Sequence, residues 1–287
     1  MFYLLIASFI WAFSFGLIKG KLTDLDPSLV SFLRIFISFI IFIPVFKFKK
    51  INNPKLLIHL LVIGSIQFGL MYISYIYSFR YLKAYEVALF TILTPIYVTI
   101  INDLFNKRLD YMSLISAIVA IMGAWVIVYS RFEYMDFITG ALMVQVSNIC
   151  FAVGQIYYKK VMSKYPLIQS SDIFAVMYFG ALITTGLFTL TSVKWSSVSI
   201  NSSQLMSLLY LGVVASGLGF YLWNVGILRS KISTLAVMNN AKIPLAVLCS
   251  IFVFSEHADW LRLIIGGSIM IISVVISEKY SYPKYLG

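Results

Sequence analysis

Lys242 occupies a place where a lysine is expensive. It falls about nine residues into the apolar run 233–254, roughly 14 Å along a helix that rises 1.5 Å per residue, near the middle of a hydrocarbon core about 30 Å thick. Insertion scales put a cation at that depth at about 2.5–3.5 kcal/mol, and its stem does not easily carry the ammonium to an interface, so Lys242 is expected to face a cavity or an acid. Asn239 lies one turn earlier on the same helical face, and Asn240 stands four residues before Pro244. An ammonium acting as a point charge beside an orienting carboxamide is chemistry for holding a carboxylate or another anion. Neutralisation of Lys242 by a partner elsewhere in the fold, or by loss of its proton, is the alternative.

Two further charges in the apolar runs bear on a site, while Asp103 and Asp172 lie near helix ends, where solvated or capping roles are expected. Arg34 is about six residues into the second run and Glu86 opens the fourth, both from the same side. They read either as an ion pair or, with Glu86 free near a cavity, as a proton-coupling site. Pro95 and Pro244 are the prolines in mid-run. Each removes a backbone donor and strips the carbonyl one turn earlier of its partner, an arrangement tolerated at membrane depth where the carbonyl faces protein or a water-filled cavity. Paired interruptions of this kind point to a carrier's central site.

Reactive constellations are missing. His59 and His257 sit at run ends with no carboxylate or cysteine at ligand spacing, so no metal site is expected. Cys150 and Cys249 are isolated and read as buried fillers. No paired acids, Ser–His arrangement or phosphate-binding loop of the G-x-x-x-x-G-K type is present, which argues against an enzyme, a nucleotide-driven pump and a bound cofactor.

The elements that hold these residues follow from composition. Of 287 residues, 61% are apolar and 11% charged, against about 25% charged in soluble domains. With a mean hydropathy of +0.93 the chain belongs in a lipid bilayer. Its net charge of +11 forms no basic stripe on a soluble domain, so nucleic acid is not an expected partner. Apolar runs fall at about 2–18, 28–46, 57–79, 86–105, 112–130, 138–158, 172–191, 205–227, 233–254 and 261–277, which predicts an all-α membrane protein of ten transmembrane helices. The first run lacks a basic leader and a small-residue cleavage site and is read as a retained helix. The odd-numbered connections carry seven Lys and Arg and the even-numbered ones, with the C-terminal tail, thirteen, which places both termini in the cytoplasm.

The chain also repeats. A shift of 149 residues lays Arg80 on Arg229, Pro95 on Pro244 and Asp110 on Asp259, and a shift of 140 lays Ala12 on Ala152 and Lys19 on Lys159. Each half, 1–131 and 132–287, thus holds five predicted helices. An odd number of spans forces the second half into the membrane from the opposite face, giving the inverted repeat of many secondary transporters.

The segments Trp11-Ala12-Phe13-Ser14-Phe15, Pro27 seven residues ahead of Arg34, Leu93-Thr94-Pro95, Leu209-Tyr210-Leu211-Gly212 leading to Tyr221-Leu222-Trp223-Asn224, and Ser255-Glu256 resemble, in order and spacing, the two EamA domains of the drug/metabolite transporter superfamily. The resemblance covers nearly the whole chain. It implies ten helices around a central cavity that opens alternately to each side, carrying small organic solutes such as amino acids, often outward, with no chemical step. The short loops and the absence of Cys outside the spans point to the cell (inner) membrane. The resemblance also places the first, sixth and eighth spans around the cavity, which favours Trp11, Asn148 and Tyr221 as substrate contacts. Two departures stand out: Met238-Asn239-Asn240-Ala241-Lys242-Ile243-Pro244 replaces an apolar stretch, and Asn106-Lys107-Arg108 replaces the usual acid after the fourth span. The expected partners are therefore the bilayer and a small polar or anionic metabolite, an amino acid or carboxylate. A passive channel or a non-transporting scaffold is the alternative, and the sequence leaves the oligomeric state open.

Overall fold

The computed structural model describes residues 2–51, 53–107, 135–230 and 260–280, together with 115, 118–119, 122–123, 126, 235, 238–240, 246, 249, 251–253 and 255. Every regular element among them is helical. In hydrocarbon a helix satisfies its backbone donors and acceptors within one segment, and a chain this apolar has no cheaper conformation there. Eight helices are defined: α1 (Phe2–Lys21), α2 (Pro27–Phe42), α3 (Pro54–Ser78), α4 (Ala84–Phe105), α5 (Met135–Met162), α6 (Ser170–Ser192), α7 (Ser202–Leu228) and α8 (Trp260–Tyr280). Six of them, α1 and α3 to α7, are long and apolar enough to cross a membrane, while α2 is shorter, at 16 residues. The predicted spans 112–130 and 233–254 fall largely outside the described residues.

Polar residues at the membrane edges start the helices. Asp26 and Asn53 each accept the backbone N–H two residues on, at 2.9 Å, with a proline next in the chain at the first helical position. Asn201 and Gln204 cap α7 reciprocally, at 2.9 and 3.0 Å. At the head of α6, Asp172 accepts the Gln169 N–H at 3.1 Å and also binds Lys50 at 2.6 Å and Lys47 at 3.5 Å, which ties the α2–α3 connection down. Lys47 is exposed and Lys50 partly so, while Asp172 is buried, so the cap and the short Lys50 contact hold this helix start together. Asp172→Ala is expected to destabilise the protein by about 1 kcal/mol, read as a lowered thermal midpoint in detergent.

The helices close a ring. α1 packs on α7, α7 on α2, α2 on α6, α6 on α3, α3 on α5, α5 on α4, and α4 returns to α1, while α8 leans on α4 from outside. The tightest seam joins α3 to α6. A Cβ placed on Gly64 would lie 1.8 Å from the Met177 carbonyl oxygen, and one on Gly180 would lie 2.2 Å from that of Leu61. Small residues let two backbones meet where lipid tails supply no hydrophobic drive for association.

Three helices are locally unwound or overwound. Ser65–Leu70 in α3 and Tyr210–Leu218 in α7 are π-helical turns. Shifted by 149 residues, the first falls on 214–219 and overlaps the second, so the third helix of each half carries the same device. In α4 the helix tightens to a 3-10 turn over Thr91–Leu93, immediately before Pro95, as the missing donor there requires. Pro244 lies outside the described residues.

Candidate functional site

The ring surrounds a partly open cavity. It is lined by α1, α2, α3, α4, α5 and α7, and its wall has three chemical parts.

The first is a buried cation. Arg34, 1% exposed, reaches the cavity from α2. Its Nη2 donates to the Tyr72 hydroxyl at 2.8 Å and its Nε to Ser216 Oγ at 3.2 Å, while the guanidinium carbon lies 4.2 Å from the centre of the Tyr72 ring. Tyr72 and Ser216 are themselves hydrogen-bonded at 2.8 Å. Nη1 has no partner, and no carboxylate pairs with this side chain among the described residues. The clamp holds the guanidinium in place and leaves one edge of its charge for something else.

The second part is aromatic. Trp11, Phe15, Tyr72, Tyr75, Phe151 and Phe220 line the cavity. The Trp11 ring lies 4.9 Å from Phe220 and 5.9 Å from Phe151, in tilted and edge-on arrangements suited to the ring quadrupoles. Trp11 is fixed by α7: its Nε1 donates at 2.8 Å to the Ala215 carbonyl, an acceptor inside the π turn. Gly212 and Ser216 carbonyls in the same turn receive the Ser38 and Tyr178 hydroxyls, at 2.8 and 2.6 Å.

The third part is polar and gathers where α4 is interrupted. Thr91, Thr94, Ser147 and Asn148 line the cavity here. Asn148 donates to the Phe90 carbonyl at 2.9 Å and to Gln145 Oε1 at 3.1 Å. The Thr91 and Thr94 hydroxyls donate to the carbonyls of Ala88 and Thr91, at 2.7 and 2.6 Å. Side chains thus satisfy the carbonyls that the helix break releases.

Several expected site residues stand elsewhere. Trp11 and Asn148 do line the cavity. Tyr221 does not; it packs between Phe42 and Phe174, with ring centroids 5.4 and 5.6 Å away, because α7 turns that face toward α2 and α6. Asn239 pairs with Gln155 through both amide atoms, at 3.2 and 3.4 Å, and donates to the Leu235 carbonyl at 2.8 Å, while Trp223 Nε1 adds a bond to Gln155 at 3.2 Å. Asn240 donates to the Ile92 carbonyl at 3.4 Å, a second patch on the α4 break. Neither asparagine reaches the cavity wall. Lys242 lies outside the described residues.

Arg34 and Glu86 do not form an ion pair. Glu86 is buried at the head of α4, where its carboxylate accepts the Lys83 backbone N–H at 2.8 Å and the Tyr85 hydroxyl at 3.3 Å. A glutamate three residues after a helix start is a capping position, and that spacing in Lys83-Ala84-Tyr85-Glu86 is the signal that assigns it. Thr91 and Thr94 were open to the same reasoning, since they stand four and one residues before Pro95. Tyr72 and Ser216 carried no such mark, because their partners are distant in sequence, and Ser147 has no hydrogen-bond partner among the described residues to reveal it.

The model of the EamA-like transporter family matches residues 1–129 and again 138–278. A protein of Pseudomonas aeruginosa described as a probable biotin transporter is 33% identical over 280 residues, covering 97% of each chain. The biotin transporter of Salmonella typhimurium is 33% identical over 290 residues, 98% of this chain and 94% of that one. A solved crystal structure, 16% identical, shares the fold with a TM-score of 0.68 over 96% of this chain and 95% of the other. The chain therefore belongs to the EamA-like transporter family, as a multi-pass integral membrane protein of the transporter class and not an enzyme.

Proposed function

We propose that this protein is a secondary carrier for a small carboxylate metabolite of the biotin type, which binds in the central cavity with its carboxylate on Arg34 and its apolar portion against the Trp11–Phe151–Phe220 wall. The observation that carries this reading is the buried guanidinium at the cavity wall, which among the described residues has no carboxylate beside it and no partner for Nη1. A cation left uncompensated in a membrane interior is costly unless an anion arrives to share it, and a planar guanidinium matches a carboxylate. The relatives' names supply the substrate type. Transport proceeds by alternating access as the halves 1–131 and 132–287 rock about the cavity, with both termini cytoplasmic in the inner membrane. The carrier reading sets direction by the gradient, so export and uptake are two modes of one cycle.

The test is flux of labelled biotin into and out of proteoliposomes holding the purified protein. Saturable flux that accelerates when unlabelled biotin is placed on the opposite side is expected of a carrier. Flux linear in concentration without exchange acceleration would support a channel, and no flux of biotin would remove the substrate assignment. Lys242 remains a proposed second cation for the same carboxylate. Lys242→Ala in this assay is expected to raise the half-saturating concentration less than Arg34→Ala does, and the reverse order would move the carboxylate to Lys242.

A further inference from the structure

The polar end of the cavity has a directional character. Asn148 spends both amide hydrogens, one on the Phe90 carbonyl and one on Gln145 Oε1, and Gln145 Oε1 is itself held by the Tyr97 hydroxyl at 3.1 Å. Rotating the carboxamide by half a turn would set oxygen against oxygen at both contacts, so its orientation is fixed. Asn148 Oδ1 accepts nothing among the described residues, on a side chain 4% exposed that lines the cavity. Thr91 and Thr94 add two hydroxyl oxygens whose hydrogens are committed to backbone carbonyls. Three oxygens at this end therefore act as acceptors only. The Ser147 hydroxyl, next in sequence to Asn148 and on the same wall, has no partner among the described residues and is able to donate.

We infer that this end is a recognition site for the N–H groups of a cyclic urea or amide, with Asn148 as the specificity-determining acceptor and Ser147 donating to the intervening carbonyl. The inference rests on the proposed carboxylate carrier and deepens it. Two parts of the cavity wall then read the two polar groups of one substrate, Arg34 the anion and Asn148 the N–H, and the aromatic part takes its apolar portion. A site built around fixed acceptors rejects an analogue that cannot donate, because its oxygens are left buried and unpaired.

Competition against labelled biotin flux in the unaltered protein tests this without a variant. Biotin methylated at a ureido nitrogen, and octanoate, which keeps the carboxylate and has no N–H, are expected to compete at least tenfold more weakly than biotin. Desthiobiotin, which keeps the ureido group and lacks the sulfur ring, is expected to compete within a few-fold of it. Asn148→Ala is expected to level the difference between biotin and its N-methylated form, while Arg34→Ala leaves that difference in place. Equal competition by biotin, N-methylated biotin and octanoate in a protein that transports biotin would overturn the Asn148 assignment and leave the carrier reading standing. Absence of any biotin flux would overturn both.

Discussion

Arg34→Ala is expected to raise the half-saturating biotin concentration by about 30- to 1,000-fold while leaving the protein as stable as before or more so. The loss follows from removing a desolvated, charge-assisted contact to the carboxylate, worth about 2–4 kcal/mol, with tenfold for each 1.4 kcal/mol. The opposite sign on stability follows from the clamp. Tyr72 and Ser216 stay hydrogen-bonded to each other at 2.8 Å when the guanidinium goes, so no buried partner is orphaned, and a cation that costs about 2.5–3.5 kcal/mol to bury is gone. Biotin at about 100 times its dissociation constant stabilises the native protein by about 2.7 kcal/mol, and this protection is absent from the variant at the same concentration. Arg34→Lys is expected to fall between the two, since an ammonium keeps the charge but loses the fork geometry and the Tyr72 stacking. Thermal midpoints with and without biotin, measured beside the flux, check both signs. A variant that melts lower and transports normally would make Arg34 a structural residue.

How far the site was legible depended on whether its causes were local. Pro95 announced the α4 break, and the break explains the amide caps from Asn148 and Asn240, so a proline in the first half accounts for two asparagines in the second. Helix starts at Asp26-Pro27 and Asn53-Pro54 were equally readable, and the predicted runs begin within about three residues of the observed helices because capping residues are polar and fall outside an apolar count. Arg34 was readable as a charge in a membrane but not as the cavity's cation. The nearby glutamate suggested a pair, whereas its spacing from Lys83 marks a cap, and the Lys83 N–H bond shows Glu86 engaged there. The π turns in α3 and α7 had no visible sequence cause, yet the one in α7 supplies the carbonyl that fixes Trp11. Asn239 lay on the predicted face of its helix, but its Gln155 partner is 84 residues away and no local pattern reports it.

Gly64→Ala is expected to damage the fold more than any change at the cavity. Its added methyl carbon meets the Met177 carbonyl at 1.8 Å for oxygen and 2.5 Å for carbon, and these are backbone atoms with no rotamer to move away. Overpacking a core by a methylene costs about 1–3 kcal/mol when side chains yield, so a helix-against-helix collision exceeds that range. Gly180→Ala collides with the Leu61 carbonyl at 2.2 Å across the same seam, and the Ser65 hydroxyl bond to the Gly180 carbonyl, at 2.9 Å, is lost as α3 and α6 separate. The separation reaches the site, because Tyr178 of α6 holds the Ser216 carbonyl while Ser216 Oγ holds Arg34. Both variants are therefore expected to lower the melting temperature in detergent and the flux together, unlike Arg34→Ala, which lowers flux alone. Gly267→Ala on α8, where a Cβ meets nothing within 4 Å, is the matched control and is expected to melt at or slightly above the native temperature, as alanine favours helix by about 0.8–1 kcal/mol. Native melting of Gly64→Ala would mean that the α3–α6 seam is looser than its geometry, and the coupling of that seam to Arg34 would then fall with it.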